Sequence, residues 1–145
     1  MIEPIVFDTS VYIRALRAGD VSMLNEKNVP RSTYSSPVWL SAVVLEELFA
    51  GASDKNTIKL ISKFEKGFSQ VNRIIVPNQS DWSNAGRILN KIGRKYGFEK
   101  IGKARLANDA VLAMSVARKG FKLRTANTKD FKLLSEFRQF RWEIE

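Results

Sequence analysis

Asp8, Glu46, Glu47, Asp109, Asn127 and Asp130 are the side chains of this sequence whose type and setting suit chemistry. Asp8 ends the apolar run Ile5-Val6-Phe7 and precedes two hydroxyls, Thr9 and Ser10. Its competing reading is a helix N-cap, a role that Asp before Thr-Ser fills well. Glu46 and Glu47 interrupt the apolar stretch Val43–Ala50. Adjacent helical side chains point about 100° apart, so one of the two is solvated and the other drawn inward, and the pattern does not choose between them. Asp109 has Arg105, Leu106, Leu112 and Ala113 three and four positions away. It is either a buried acid that needs a partner or a cation, or a surface acid paired with Arg105. Asn127 and Asp130 follow a short apolar segment, where turn and cap residues are common.

Several carboxylates meeting in one crevice repel one another and raise each other's pKa, a penalty that a divalent cation removes. The sequence has no His and no Cys. That excludes a Ser-His-Asp triad, a Cys nucleophile, a disulfide scaffold, a zinc finger and an imidazole-bound transition metal. An enzyme built from what remains relies on carboxylates, hydroxyls, amides, Lys and Arg. Such donors suit a hard cation, Mg²⁺ or Mn²⁺.

Charge adds a substrate class. The 145 residues carry 24 Lys+Arg against 15 Asp+Glu, a net charge of +9. The excess is confined to residues 51–145, whereas residues 1–50 hold more acids than bases. Arg87, Lys91, Arg94, Lys95, Lys100, Lys103, Arg105, Arg118, Lys119, Lys122 and Arg124 crowd one segment in which only Glu99 and Asp109 oppose them. A field of that sign concentrates polyanions; its bland alternative is a solvated surface. Acids around a cation within a basic protein point to phosphodiester chemistry. Trp39, Trp82 and Trp142 are read chiefly as core, with base stacking as the alternative.

Positioning these groups requires a framework, and the periodicity supplies one. Ile5–Phe7, Val71–Val76 and Phe121–Thr125 read as strands, and Phe140–Ile144 as an edge strand. Helices are expected from Asp8 or Thr9 through Leu16, over Val21–Glu26, over Val43–Ala50, over 54–68, from Ser80 or Asp81 through Ile92, over Lys103–Lys119, and from near Asp130. A loop containing Pro30, Ser35, Ser36 and Pro37 separates the second and third helices. Strands alternating with helices imply one α/β domain over residues 1–145, with a parallel sheet of about four or five strands flanked by helices. Ligands of such sheets bind beyond the carboxyl ends of the strands, where Asp8 and the 127–130 loop fall. The start of the chain lacks the basic-then-apolar order of a signal peptide, and no apolar run is long enough to span a bilayer, so a cytoplasmic location is expected.

The chain resembles the PIN-domain ribonucleases, specifically the VapC-type toxins of toxin–antitoxin pairs. The resemblance lies in Val6-Phe7-Asp8-Thr9-Ser10-Val11, Ser41–Ala52 around Glu46-Glu47-Leu48, Asn108-Asp109-Ala110, and Thr125-Ala126-Asn127-Thr128-Lys129-Asp130-Phe131. It implies a PIN-like fold and metal-dependent hydrolysis of RNA. It also implies Asp8 and Asp109 as the main metal contacts, Glu47 rather than Glu46 as the second acid, and Ser10 or Thr9 with Asn127 as orienting groups. Asn127 stands where some relatives place an acid, whereas Asp130 supplies the acid of the closing Asp-Phe pair, so the fourth site residue is either Asn127 or Asp130. A small VapB-like antitoxin and a homodimer are the implied partners. A non-catalytic RNA-binding module and a nuclease of RNA processing are the competing functions.

Overall fold

The computed structural model describes residues 3–20, 24 and 37–145. The expected helix over Val21–Glu26 and the loop before Pro37 lie outside the described residues, apart from Leu24, which is buried. Five strands form one parallel sheet: β1 Ile5–Phe7, β2 Val38–Ser41, β3 Ile74–Ile75, β4 Lys122–Thr125 and β5 Arg141–Ile144, in the order β3-β2-β1-β4-β5. Among the described residues six α-helices accompany them: α1 Thr9–Arg17, α2 Ala42–Gly51, α3 Lys55–Gln70, α4 Gln79–Tyr96, α5 Ala104–Lys119 and α6 Thr128–Ser135, with a 3₁₀ segment over Phe98–Gly102.

The strand order explains where a site must form. From β1 the chain steps outward through β2 to β3, then crosses back over β1 to β4 and continues to β5. Right-handed crossovers put the connections of these two directions on opposite faces of the sheet. β1 and β4 are hydrogen-bonded neighbours, with Val6 opposite Leu123 and Phe7 opposite Arg124. Their carboxyl ends therefore flank a crevice at the switch point, the place where such sheets bind ligands.

Local signals account for most elements. Helix α3 buries Ile61, Phe64 and Phe68 from one stripe, and Tyr12 of α1 meets Phe64 edge-on at 5.7 Å. Gly120 closes α5 in the left-handed conformation, at φ 69°, that glycine adopts without strain. Two expectations change. Val38–Ser41 is a strand rather than part of the approach to α2, because Leu40 and Ser41 lose all solvent between β1 and β3. The strand expected over Val71–Val76 shrinks to Ile74–Ile75, since α3 runs on to Gln70 and Asn72 turns the chain with φ 55°.

Helix α4 starts at Gln79 behind an Asn78/Asp81 capping box, one or two residues earlier than the Ser80 or Asp81 start expected. Asp81 is almost wholly buried, and both its oxygens accept from Arg118 Nε on α5, at 3.1 and 3.0 Å. Arg118→Met is expected to destabilise the protein by about 2–3 kcal/mol, because it strands a buried carboxylate that keeps one backbone donor. Urea denaturation measures this. A loss below about 0.5 kcal/mol would show the pair to be no more than a surface bridge. Among the described residues, no helix is long and apolar enough to cross a membrane.

Candidate active site

Asp8 is the first residue past β1, and its amide continues the ladder by donating to Arg124 O at 3.0 Å. It occupies the N-cap position of α1, yet its side chain makes no capping bond. The carboxylate instead accepts from two hydroxyls: Ser10 Oγ at 2.5 Å on Oδ1 and Thr125 Oγ1 at 2.8 Å on Oδ2. The cap reading is therefore replaced by a carboxylate held over the switch-point crevice. Burial pushes its pKa up, against the opposing effect of the two hydroxyls and of the Arg105 charge.

The hydroxyl pair is itself braced. Ser10 Oγ accepts from the amide of Ala126 at 3.0 Å, and Thr125 Oγ1 accepts from the amide of Asn127 at 2.8 Å. These bonds tie the start of α1 to the end of β4 and fix where Asp8 points. Ser10, expected as an orienting group, donates to Asp8. Thr125, fully buried, was not singled out from the sequence. The available signal was a hydroxyl at the last position of a strand, just before the Asn127–Asp130 loop. Ser10→Ala is expected to cost about 1–2 kcal/mol, because it removes one bond to Asp8 and leaves the Ala126 amide without its acceptor. An unchanged denaturation midpoint would show that water replaces the hydroxyl at no cost.

The glutamate pair divides as helical geometry requires. Glu46 is exposed and accepts from Asn108 Nδ2 at 3.3 Å, whereas Glu47 is half-buried and accepts from Thr9 Oγ1 at 2.6 Å. Thr9 therefore steadies Glu47, and Ser10 steadies Asp8.

Asp109, inside α5, is 5% exposed, and its Oδ2 has no hydrogen-bond partner. The alternative of a surface pair with Arg105 fails, because the carboxyl faces inward and no ion pair joins the two among the described residues. Burial pushes the Asp109 pKa to about 9, assisted by Asp130, which takes a hydrogen bond from its protonated form, and by the charges of Asp8 and Glu47. Asp130, half-buried in the first turn of α6, thus joins the group. Asn127 precedes α6 and lines the same cleft as Asp130; it is held through its backbone and its side chain makes no capping bond.

Asp130, Asp8 and Glu47 all lie near enough to Asp109 for their charges to act on it. Among the described residues no three acids are close enough as placed to hold an ion between them. The donor set nevertheless fits a hard cation: a buried carboxylate oxygen lacks any partner, and the neighbouring charges all disfavour its ionisation. Trp39 and Trp142 pack against the core as expected, whereas Trp82 is 58% exposed on α4.

No protein-family model matches the chain, and no curated protein matches it. Solved structures do. A DNA-bound VapBC structure from Salmonella typhimurium contains a chain 17% identical, with a TM-score of 0.64, covering 99% of this chain and 98% of that one. VapBC2 from Rickettsia felis, bound to a DNA fragment from its promoter, gives 21% identity and a TM-score of 0.61, covering 97% and 98%. VapBC-5 from Mycobacterium tuberculosis, of the VapBC family of toxin–antitoxin systems, gives 18% identity and a TM-score of 0.56, covering 99% and 98%. With its five parallel strands in this order and this end-to-end likeness, the chain has a PIN-like fold, the fold of the chains it matches in these VapBC structures.

Proposed function

We propose that the protein is a metal-dependent endoribonuclease, the toxin of a VapBC-type pair. The observation that carries this reading is the unpartnered Oδ2 of Asp109, set beside Asp130 and within electrostatic reach of Asp8 and Glu47 at the sheet's switch point. Evolution seldom keeps such a costly buried acid without a ligand for it.

Asp8 and Asp109 would hold Mg²⁺ or Mn²⁺, with Glu47 and Asp130 acting directly or through water. When bound, such an ion supplies a Lewis acid for phosphoryl oxygens and lowers the pKa of a water. Asp8 is locked by Ser10 and Thr125, so its oxygens need no reorganisation before the reaction. Glu47, steadied by Thr9, is the acid free to orient the attacking water and accept its proton. This route needs neither His nor the substrate's 2′-OH. RNA as substrate, a small VapB-like antitoxin and a homodimer follow from the family resemblance, and a cytoplasmic location is proposed with them; the likeness to VapBC structures supports the antitoxin.

The test is incubation of the protein with total RNA in Mg²⁺ or Mn²⁺, against a chelator control, with the cut ends mapped. Metal-dependent cuts at defined sites are expected. Binding without cleavage under every metal condition would favour a non-catalytic RNA-binding module.

A further inference from the structure

Two clefts open beside the acids. One, of about 610 Å³, lies between α1, α2 and the start of α5; the other, of about 480 Å³, lies between the 3₁₀ segment, α5 and α6. Neither Asp8 nor Asp109 lines them, and the two acids are nearly sealed, at 3% and 5% exposure. Anything that is to reach Asp109 therefore requires a wall to move. The second cleft comes nearest to it. Its lining includes Leu106, one turn before Asp109 on α5, and Asp130, which takes the hydrogen bond of protonated Asp109.

The walls of that cleft are unequally anchored. Helix α5 is fixed by buried Leu106, Ala110 and Val111, and α6 by Phe131 and Leu134, which have lost all solvent. The segment Phe98–Gly102 supplies Glu99 and Lys100 to the cleft but buries no residue; its Ile101 packs against the core only in part. Elements that bury little apolar surface open at a lower free-energy cost than the helices around them. This wall is the one free to move.

Its joints suit a movement. Gly97, between α4 and the segment, has φ 107° and ψ 138°, a backbone that residues bearing a Cβ rarely adopt. Gly102 ends the segment. What holds it down is aromatic contact from outside. Phe98 lays its ring on α4 at Gly93, so closely that a methyl at 93 would come within 2.5, 2.6 and 3.0 Å of three ring carbons. The ring is nevertheless 54% exposed, covering a glycine without entering the core. Lys100 adds a second hold, with Nζ 5.3 Å from the centroid of the Tyr96 ring. Both holds release without unpacking a fully buried side chain.

We propose that Phe98–Gly102 is a flap, hinged at Gly97 and latched by Phe98 on Gly93, whose opening widens the second cleft as far as Asp109. The flap rests on the packing just described. Its consequence for cutting rests on the nuclease reading, because a reacting phosphate must reach the buried acids only if they do that chemistry.

The chain has no cysteine, so one introduced thiol reports access. Asp109→Cys places it at the sealed position, and its alkylation by iodoacetamide is timed in the absence of metal. Adding Phe98→Ala, which removes the latch, is expected to speed alkylation about tenfold; Gly93→Ala, whose methyl displaces the ring, should act the same way. Ser115→Cys, at a fully buried position further along α5, is the control. Its labelling should not change with the latch, whereas a merely less stable fold would expose both thiols.

A second arm keeps Asp109 and locks the flap. The 3.0 Å gap from a methyl at 93 to Phe98 Cγ puts the two Cβ positions no more than about 4.5 Å apart, within disulfide reach. Oxidised Gly93→Cys/Phe98→Cys is expected to cut RNA at least about tenfold more slowly than its reduced form in single turnovers, with reductant restoring the rate. Alkylation of Asp109→Cys that ignores the latch, or equal acceleration at Ser115→Cys, overturns the flap. Metal-dependent cutting that the disulfide does not slow also overturns it and leaves the nuclease reading standing. Latch-dependent alkylation without cutting by any form does the reverse.

Discussion

Asp8→Asn is expected to lower metal-dependent RNA cleavage by at least about a hundredfold while leaving the fold unchanged. The substitution is isosteric, and Asn can still accept from one of the two hydroxyls that grip Asp8, Ser10 or Thr125. What it loses is the anionic oxygen beside the crevice. Altering groups that merely orient metal ligands typically costs 10- to 100-fold, so removing a ligand's charge should exceed that range. Single-turnover cleavage at saturating RNA, with Mn²⁺ titrated, measures the effect. Cutting by Asp8→Asn at the wild-type rate, or wild-type cutting that persists in chelator, would sink the carboxylate–metal mechanism.

Asp109→Asn is expected to raise the stability of the metal-free protein at pH 7 by about 1–3 kcal/mol, the cost of a buried polar group without its partner. The melting temperature should rise by several degrees. The sign follows from linkage. The folded protein holds a proton on Asp109 up to about pH 9, whereas the unfolded chain releases it near the ordinary value of 3.8. Between those values the native state binds more protons, so this group makes stability fall as pH rises from about 4 to 9, and contributes nothing below 4. Asn removes that slope and can donate to the neighbouring Asp130. Thermal melts in chelator at pH 5 and pH 8 separate the outcomes: the gain should be small at the lower pH and large at the higher. Saturating Mg²⁺ should raise the wild-type melting temperature more than that of the variant, since the ion binds the ionised acid and releases its proton. A variant less stable than wild type at pH 8 in chelator would show that Asp109 is not penalised as its burial implies.

The opposed effects of these two substitutions have one origin. A site that gathers like charges out of water is locally destabilising, and only the ligand it was built for relieves the repulsion. Arg105 eases part of this at Asp8 without neutralising Asp109.

Much of this architecture was legible along the chain. The spacing of Ile61, Phe64 and Phe68, the glycine after Lys119 and the apolar run before Asp8 are local signals, and the helices and strands they announce are present. The absence of His and Cys, with acids at strand ends, points to the chemistry proposed above. Strand β2 was missed because Val38-Trp39-Leu40-Ser41 has neither the length nor the alternation to stand out; what makes it a strand is parallel pairing to β1 on one side and β3 on the other.

Periodicity, capping and residue type are properties of neighbours in sequence, so the sequence alone determined most of the elements, the fold class and a short list of acids. Which side chains lose their water depends on what packs on them from far along the chain, and that only the tertiary structure decided. It turned Asp8 from a cap into a gripped carboxylate by bringing up Thr125, and separated Glu47 from Glu46 through Thr9. It buried Asp109 against Asp130 instead of pairing it with Arg105. It also paired Lys95, Arg118, Lys122 and Arg124 of the basic segment with carboxylates, because charge in a sequence carries no direction until the backbone supplies one.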